Sequence, residues 1–238
     1  MLPLERQNTL REQYRQARPG WRPATEVYAA LVRERLRPES RVLDLGCGRG
    51  GLVEQLEHPL AQITGVDPDI ASLRQHRLPL PRVQGRSNRL PLASGTFELA
   101  FASWVLEHLP RPEEDLREVA RVLQPGASFV FITPNRKHPL ALLNHLLGHA
   151  RRGQSWLVKR FYGRATGDTF PTYYRANTPK TLHRLAADAG MHLAALHAIS
   201  DPTYLAFTPL LFRLVQRTEE RLSPEKRLHL VGRMQKAS

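Results

Sequence analysis

A chain of 238 residues is long enough for one domain with its own core, and 41% hydrophobic with 24% charged residues excludes both a disordered chain and a membrane-embedded one. The formal net charge of +13 points to an anionic partner (nucleic acid, a membrane surface or a phosphorylated substrate) or to arginines spread over a solvated surface. Cys47 is the only cysteine, so no internal disulfide forms and a cytoplasmic protein is expected.

The opening residues Met1 to Asn8 lack an apolar stretch of signal-peptide length, and no apolar run approaches the ~20 residues that span a bilayer. Residues 1–24 are polar and basic. Val27, Tyr28, Leu31, Val32 and Leu36 predict a helix over 25–36, ended by Pro38. Strands and helices then alternate. Strands are expected at 41–45, 62–66, weakly near 80–84, at 97–102 and at 128–132, with helices marked by Leu52, Val53 and Leu56 and by Ile70 and Leu73. Pro112-Glu113-Glu114-Asp115 opens a clear helix whose buried stripe is Leu116, Val119, Ala120 and Leu123, stopped by Pro125-Gly126. This rhythm implies right-handed βαβ units and a mostly parallel sheet.

The pattern breaks at 134–177, which carries a short apolar helix (Leu140, Leu143, Leu147), a basic loop and Phe170-Pro171-Thr172-Tyr173-Tyr174. It reads as an insertion over the sheet after the fifth strand. Thr178-Pro179 then caps a helix with Leu182, Leu185 and Ala186, ended by Gly190. Strands are expected at 191–198 and near 203–208. Thr208-Pro209 caps a helix with Leu210, Leu211, Leu214 and Val215 inward, and Ser223-Pro224 starts a last helix before a frayed tail.

The chemistry begins at Gly46-Cys47-Gly48-Arg49-Gly50-Gly51, between a strand and a helix. Glycines there permit a tight turn and let a ligand lie on the backbone. The spacing Gly46, Gly48, Gly51 also satisfies the dinucleotide fingerprint. Asp44 speaks against a dinucleotide. A carboxylate beside a pyrophosphate is unfavourable, whereas it suits a ligand carrying an ammonium group. Asp67 follows about twenty residues later, where an acid can accept from both hydroxyls of a ribose. Asp69 can cap the following helix and leave Asp67 to that task.

These residues resemble the class I S-adenosylmethionine-dependent methyltransferases, and most closely their small-molecule and lipid branch. Val42 to Gly50 resembles that family's first motif, and Ile63 to Asp67 its ribose-binding strand end. Asn88 to Glu98 is similar to its turn into the fourth strand, Ser103 to Leu109 to the segment flanking the cofactor, and Arg121 to Gly126 to the helix end before the fifth strand. The resemblance covers roughly 40–133. It implies a Rossmann-like, mostly parallel seven-stranded α/β sheet flanked by helices, with a helical insertion after the fifth strand. One domain is expected, with an N-terminal arm (1–24), a cofactor-binding core (25–133), the insertion (134–177), the rest of the core (178–222) and a tail (223–238).

The cofactor implied is S-adenosyl-L-methionine. Asp44, Gly46, Cys47 and Gly48 would hold its methionine end, Asp67 and Pro68 its ribose, and Ser87 and Asn88 its adenine. Ser103 would offer a carbonyl to the amino group. Gly85 is followed by Arg86 where the family often has an acid, a departure that bears on adenine recognition. Tyr14 to Trp21 resembles a segment that closes over the cofactor in some members, which makes Tyr14 and Arg18 candidate contacts.

On the acceptor side, His108 is the candidate base, and His138, Tyr173 and Tyr174 are candidate lining residues. His145 and His149 share helical spacing but lack companion ligands, so no metal is expected. Arg213, Arg217 and Arg221 repeat on one helix, either as a wet face or as a peripheral membrane contact. The activity implied is methyl transfer to a small-molecule, sugar or lipid-linked acceptor at oxygen. RNA methylation and cofactor binding without turnover are the alternatives, and no appended nucleic-acid module supports the first.

Overall fold

The computed structural model describes residues 4–139, 170–205 and 209–238, without the side chains of a few of them. Leu4–Ala17 form α1 and Ala24–Arg35 form α2. The polar N-terminal arm is therefore largely helical. The core follows as β1 (Val42–Leu45), β2 (Ile63–Asp67), α3 (Ile70–Arg74), β3 (Arg82–Gln84), β4 (Phe97–Ser103), α4 (Pro112–Val122) and β5 (Leu123–Pro134). Beyond the insertion come α5 (Pro179–Asp188), β6 (Met191–Ile199), α6 (Pro209–Arg221) and β7 (His229–Lys236).

The seven strands form one sheet in the order β3-β2-β1-β4-β5-β7-β6. β3, β2, β1, β4 and β5 run parallel, and β7 lies antiparallel between β5 and β6. All four residues of β1 are buried, as a central parallel strand covered on both faces requires. On one face Phe129, Phe131, Leu116, Val119, Leu182 and Leu185 join the core under α4 and α5. On the other, Tyr28, Leu31 and Val32 of α2 pack with Val42, Phe101 and Val130. Thr178 caps α5 as its sequence position predicts, its hydroxyl accepting from the Thr181 amide.

Three expectations are corrected. The glycine loop leads into a single 3-10 turn at Leu52–Gln55 rather than a full helix. The seventh strand is not near 203–208. There Pro202–Leu205 form a 3-10 turn, because Asp201 accepts from both the amide and the hydroxyl of Thr203 and curls the chain. The seventh strand is β7. Ser223-Pro224 starts only a 3-10 turn, Pro224–Lys226, and the expected tail enters the sheet between β5 and β6. The helix expected at Leu140, Leu143 and Leu147, and His145 and His149, lie outside the described residues.

Candidate functional site

Parallel strands bring their C-terminal ends to one edge, and in open α/β sheets ligands bind outside that edge where the strand order reverses. Here the reversal falls between β1 and β4. The loop after β1 turns on glycines with positive φ, at Gly46 (73°), Gly48 (50°) and Gly50 (121°). The amides of Gly46 and Cys47 both donate to the Val66 carbonyl, which folds the loop back over β2.

The loop glycines serve different ends. A Cβ on Gly46 would stand 2.4 Å from Cγ2 of Val105, so this glycine permits close approach of the chain after β4. A Cβ on Gly48 would meet no atom within 4 Å. Gly48 therefore faces open space, and its amide donates to Oδ2 of Asp67 at 2.9 Å. Cys47 is buried beneath the loop. Burial first, then the charges of Asp44 and Asp67, push its thiol up to about 12, which leaves it inert as a nucleophile at neutral pH.

Two acids stand at the ends of β1 and β2. Asp44 is 6% exposed, and burial followed by the charge of Asp67 pushes its carboxyl up to about 7. Burial also raises Asp67, partly offset by the Asp69 and Gly48 amides that donate to it. Asp69 itself caps α3 as the sequence suggests, accepting from the Ala71 and Ser72 amides. A buried carboxylate raised by desolvation and by a like charge is a place that favours a cation. An ammonium group beside Asp44 would offset both causes by favouring the ionised carboxylate. With the open face of Gly48, this fits the amino acid end of S-adenosylmethionine.

Pro68 follows Asp67, and its carbonyl accepts from the Gln84 amide side chain. Ser87 and Asn88 follow β3 but turn toward the acidic start of α4. The Ser87 hydroxyl donates to Asp115 at 2.5 Å, and the Asn88 side chain donates to Glu114 at 3.4 Å. Gly85 is required by Pro91, whose Cδ would lie 2.8 Å from an added Cβ. Ser103 ends β4, and the Tyr28 hydroxyl of α2 lies beside it and Asp44.

On the acceptor side, His108 lies in the 3-10 turn Leu106–His108. Its Nδ1 lies 2.9 Å from the Pro171 carbonyl, and a carbonyl can only accept, so Nδ1 donates there. Phe170 packs edge-on against it at 6.1 Å. The amides of Tyr173 and Tyr174 both donate to the Glu107 carbonyl. The Glu107 side chain accepts from Thr133, whose hydroxyl accepts from Asn177. That network pins 170–178 across the ends of β4 and β5. Phe170, Tyr173 and Trp104 are three of the four large hydrophobic residues exposed among the described residues, and all belong to this region.

Tyr14 and Arg18 are placed differently from each other. Tyr14 is buried edge-on against Trp21 at 4.8 Å, and the Trp21 indole donates to the Ser200 carbonyl after β6. Arg18 is exposed beyond the end of α1. His138 is buried, with Nε2 donating to Glu219 of α6 at 2.6 Å. Arg217 and Arg221 are exposed on α6, while Val215 and Glu219 face inward. Among the described residues, no group of three or more His, Cys, Asp or Glu side chains could hold a metal, and no helix is long and apolar enough to cross a membrane.

Sequence reasoning passed over Tyr28, Trp104, Asp115, Asp201, Glu219 and His229 as site residues. Tyr28 was legible only as a core position of α2. Asp115 was legible only as a favourable charge at a helix start. The others meet across long stretches of chain. Trp104, at φ 58°, carried a weak signal, since it follows directly on a strand end that the motif already marks.

The comparisons with known proteins agree with this geometry. A family model described as a methyltransferase domain matches residues 43–131. A ubiquinone biosynthesis O-methyltransferase of Thiobacillus denitrificans is 30% identical over 190 residues, 75% of this chain and 74% of that protein. One of Xanthomonas oryzae is 35% identical over 105 residues, 41% of this chain and 44% of that protein. The chain spans half or less of the length of most curated relatives it matches first. Among solved structures, the Haloferax volcanii protein in complex with the Trm112 methyltransferase activator superposes with a TM-score of 0.63 at 16% identity, over 98% of this chain and 93% of that one, which shows a shared fold. The glycine loop, its paired acids and a relative aligned over three quarters of the chain together place this protein in the class I S-adenosylmethionine-dependent methyltransferases.

Proposed function

We propose that this protein transfers the methyl group of S-adenosylmethionine to a hydroxyl oxygen on a small or lipid-linked acceptor that bears an aromatic ring. The observation that carries the reading is the division of one sheet edge into two halves. The ends of β1 and β2 offer acids and an open glycine backbone, and the ends of β4 and β5 offer exposed aromatic side chains. The names of the Thiobacillus and Xanthomonas relatives support an oxygen acceptor.

When bound, the sulfonium supplies an activated methyl carbon. The protein's work is alignment, exclusion of water and disposal of one proton. Asp44 pairs with the amino group, while the backbone at Gly46, Cys47 and Gly48 supports the carboxylate end. Asp67 accepts from the ribose hydroxyls after releasing the Gly48 amide, and Pro68 shapes that turn. Ser87 and Asn88, held by Asp115 and Glu114, border the adenine. Ser103 presents its carbonyl next to Tyr28. Tyr14 and Arg18 close the arm over the site. Phe170, Tyr173 and Trp104 flank the acceptor, and His108, Tyr174 and His138 complete its surroundings.

The reading also places the enzyme in the cytoplasm. A lipid-linked acceptor would bring it to a membrane surface through the exposed Arg217 and Arg221. Salt-sensitive flotation with anionic vesicles tests that contact.

Calorimetric titration with S-adenosylmethionine, S-adenosylhomocysteine and NAD tests the cofactor half. Micromolar binding of the first two and none of NAD is expected. Asp67→Ala should weaken binding at least ~10-fold, the loss of a charge-assisted pair of hydrogen bonds. Incubation with labelled S-adenosylmethionine and a panel of phenols, sugars and polyprenyl phenols tests the acceptor half. Tight binding with no transfer to any of them would establish a binding protein in place of an enzyme.

A further inference from the structure

The chain leaving β4 joins the two halves of the site. Val105 packs on Gly46 of the cofactor loop, and Trp104, one residue earlier, packs edge-on against His229 at 5.1 Å. Trp104 holds a φ of 58°, a conformation that bulky residues adopt only under constraint, and the residue remains 37% exposed. The strain turns its backbone at the point where β4 ends. Its amide still finds a partner in the Ile132 carbonyl of β5.

His229 is the first residue of β7, level with Pro134 of β5 and Ile199 of β6, and so stands at the same sheet edge as the cofactor loop. It is 7% exposed. The charged and titratable groups facing it come from four elements: Asp201 after β6, Glu219 of α6, His138 after β5 and Arg11 of α1. These groups are themselves tied, His138 to Glu219 and Arg11 to Asp201. A histidine on this edge, walled by an exposed tryptophan and backed by two buried acids, has the surroundings of a proton acceptor.

We propose that His229 is the acceptor-side base of the methyl transfer, with Trp104 as the surface on which the acceptor ring lies. The proposal rests on the O-methyl transfer reading above. The acceptor oxygen forms its bond to the methyl carbon, and the carbon–sulfur bond breaks with its electron pair left on sulfur. The hydroxyl proton passes to the His229 imidazole. Positive charge thus moves from sulfur to imidazole, where Glu219 and Asp201 stabilise it until the proton leaves to solvent. Burial pushes His229 down to about 4, so its ring rests neutral at physiological pH, while Asp201 and Glu219 oppose that shift and favour the proton once the ring has received it.

The test compares catechol with 4-nitrocatechol, whose more acidic hydroxyl is already ionised at mildly alkaline pH and has no need of a base. His229→Asn should bind S-adenosylhomocysteine as the wild type does. It should methylate catechol about 100-fold more slowly, while losing less than ~10-fold on 4-nitrocatechol. Equal losses on both, or no loss on catechol, would overturn the proposal. Should the wild type bind the cofactor yet methylate neither phenol, the phenolic acceptor is wrong and the proposal falls with the reading it rests on. Where the phenols are methylated, His229 is judged independently by imidazole NMR of the wild type, its resonances assigned by their absence from His229→Asn. A shift of those resonances on adding 4-nitrocatechol with S-adenosylhomocysteine supports His229 as the acceptor contact, and unmoved resonances reject it.

Discussion

Asp44→Asn isolates the electrostatic cost of the cofactor site. In the folded protein the Asp44 carboxyl titrates at about 7 instead of 3.8, because burial and Asp67 both oppose its charge. Between pH 4 and pH 7 the folded state therefore keeps a proton that the unfolded state has lost. Stability falls as pH rises through that window and is flat above it. Three units at ~1.4 kcal/mol each set an upper bound of about 4 kcal/mol. Coupling to Asp67 and relaxation around the site reduce it, and a gain of about 2 kcal/mol for the neutral amide at pH 8 is the working expectation.

For a chain of this size that gain corresponds to a rise of roughly 4–8 °C in melting temperature, and at pH 4.5 the two proteins should melt nearly together. The same substitution removes the proposed partner of the ligand's ammonium group. Calorimetry at pH 8 should then show S-adenosylhomocysteine binding weakened by roughly 10–100-fold, the worth of a charged hydrogen bond. A more stable protein that binds more weakly is the signature. An Asp44→Asn protein that melts with the wild type at pH 8, or keeps its affinity, would refute the reasoning.

Gly46→Ala and Gly48→Ala should separate packing from binding. The first drives a Cβ into Val105 at a positive φ and should cost at least ~2 kcal/mol by thermal melting; the second meets open space and should cost about 1 kcal/mol while abolishing calorimetric binding. His138→Ala leaves Glu219 buried without its 2.6 Å partner, and a loss of about 3 kcal/mol in urea unfolding is expected. Thr178→Ala should cost about 1 kcal/mol through the lost cap of α5, largely recovered in Thr178→Ser. His108→Ala should leave cofactor affinity intact and raise the KM for the acceptor, since the ring touches Phe170 and Pro171 at the acceptor mouth.

The stretch from β1 to β5 was legible, the short 3-10 turn after the glycine loop excepted, because its strands and α4 announce themselves locally. Val42 to Leu45 is an apolar run ending in glycines, and Pro112 with three acids can only begin a helix. The placement of Asp44 and Asp67 at the ends of β1 and β2 was legible for the same reason. β7 was not legible. Gly232 interrupts its apolar pattern, and the cause lies far away, in the Phe131 ring that would stand 2.5 Å from an added Cβ. Ser223-Pro224 is a sound helix-start signal that the following residues do not sustain, since the chain is drawn into the sheet beside β5. The cluster around His229 gathers residues from 11 to 229, and no local pattern could foretell it.

The place of β7 sets the order in which the sheet can be completed. β5 and β6 do not pair with each other; β6 bonds only to the strand between them, which also covers the edge of β5 that β4 leaves open, and that strand is made last of all the elements described. While the chain emerges from the ribosome, β5 presents an open, strongly apolar edge, and β6 has nothing to join. Closure waits on residues 229–236, a long-range pairing of the kind that slows folding and leaves nascent chains prone to association. The parallel half of the sheet can form early, whereas His229 reaches the edge of the site only when this strand docks.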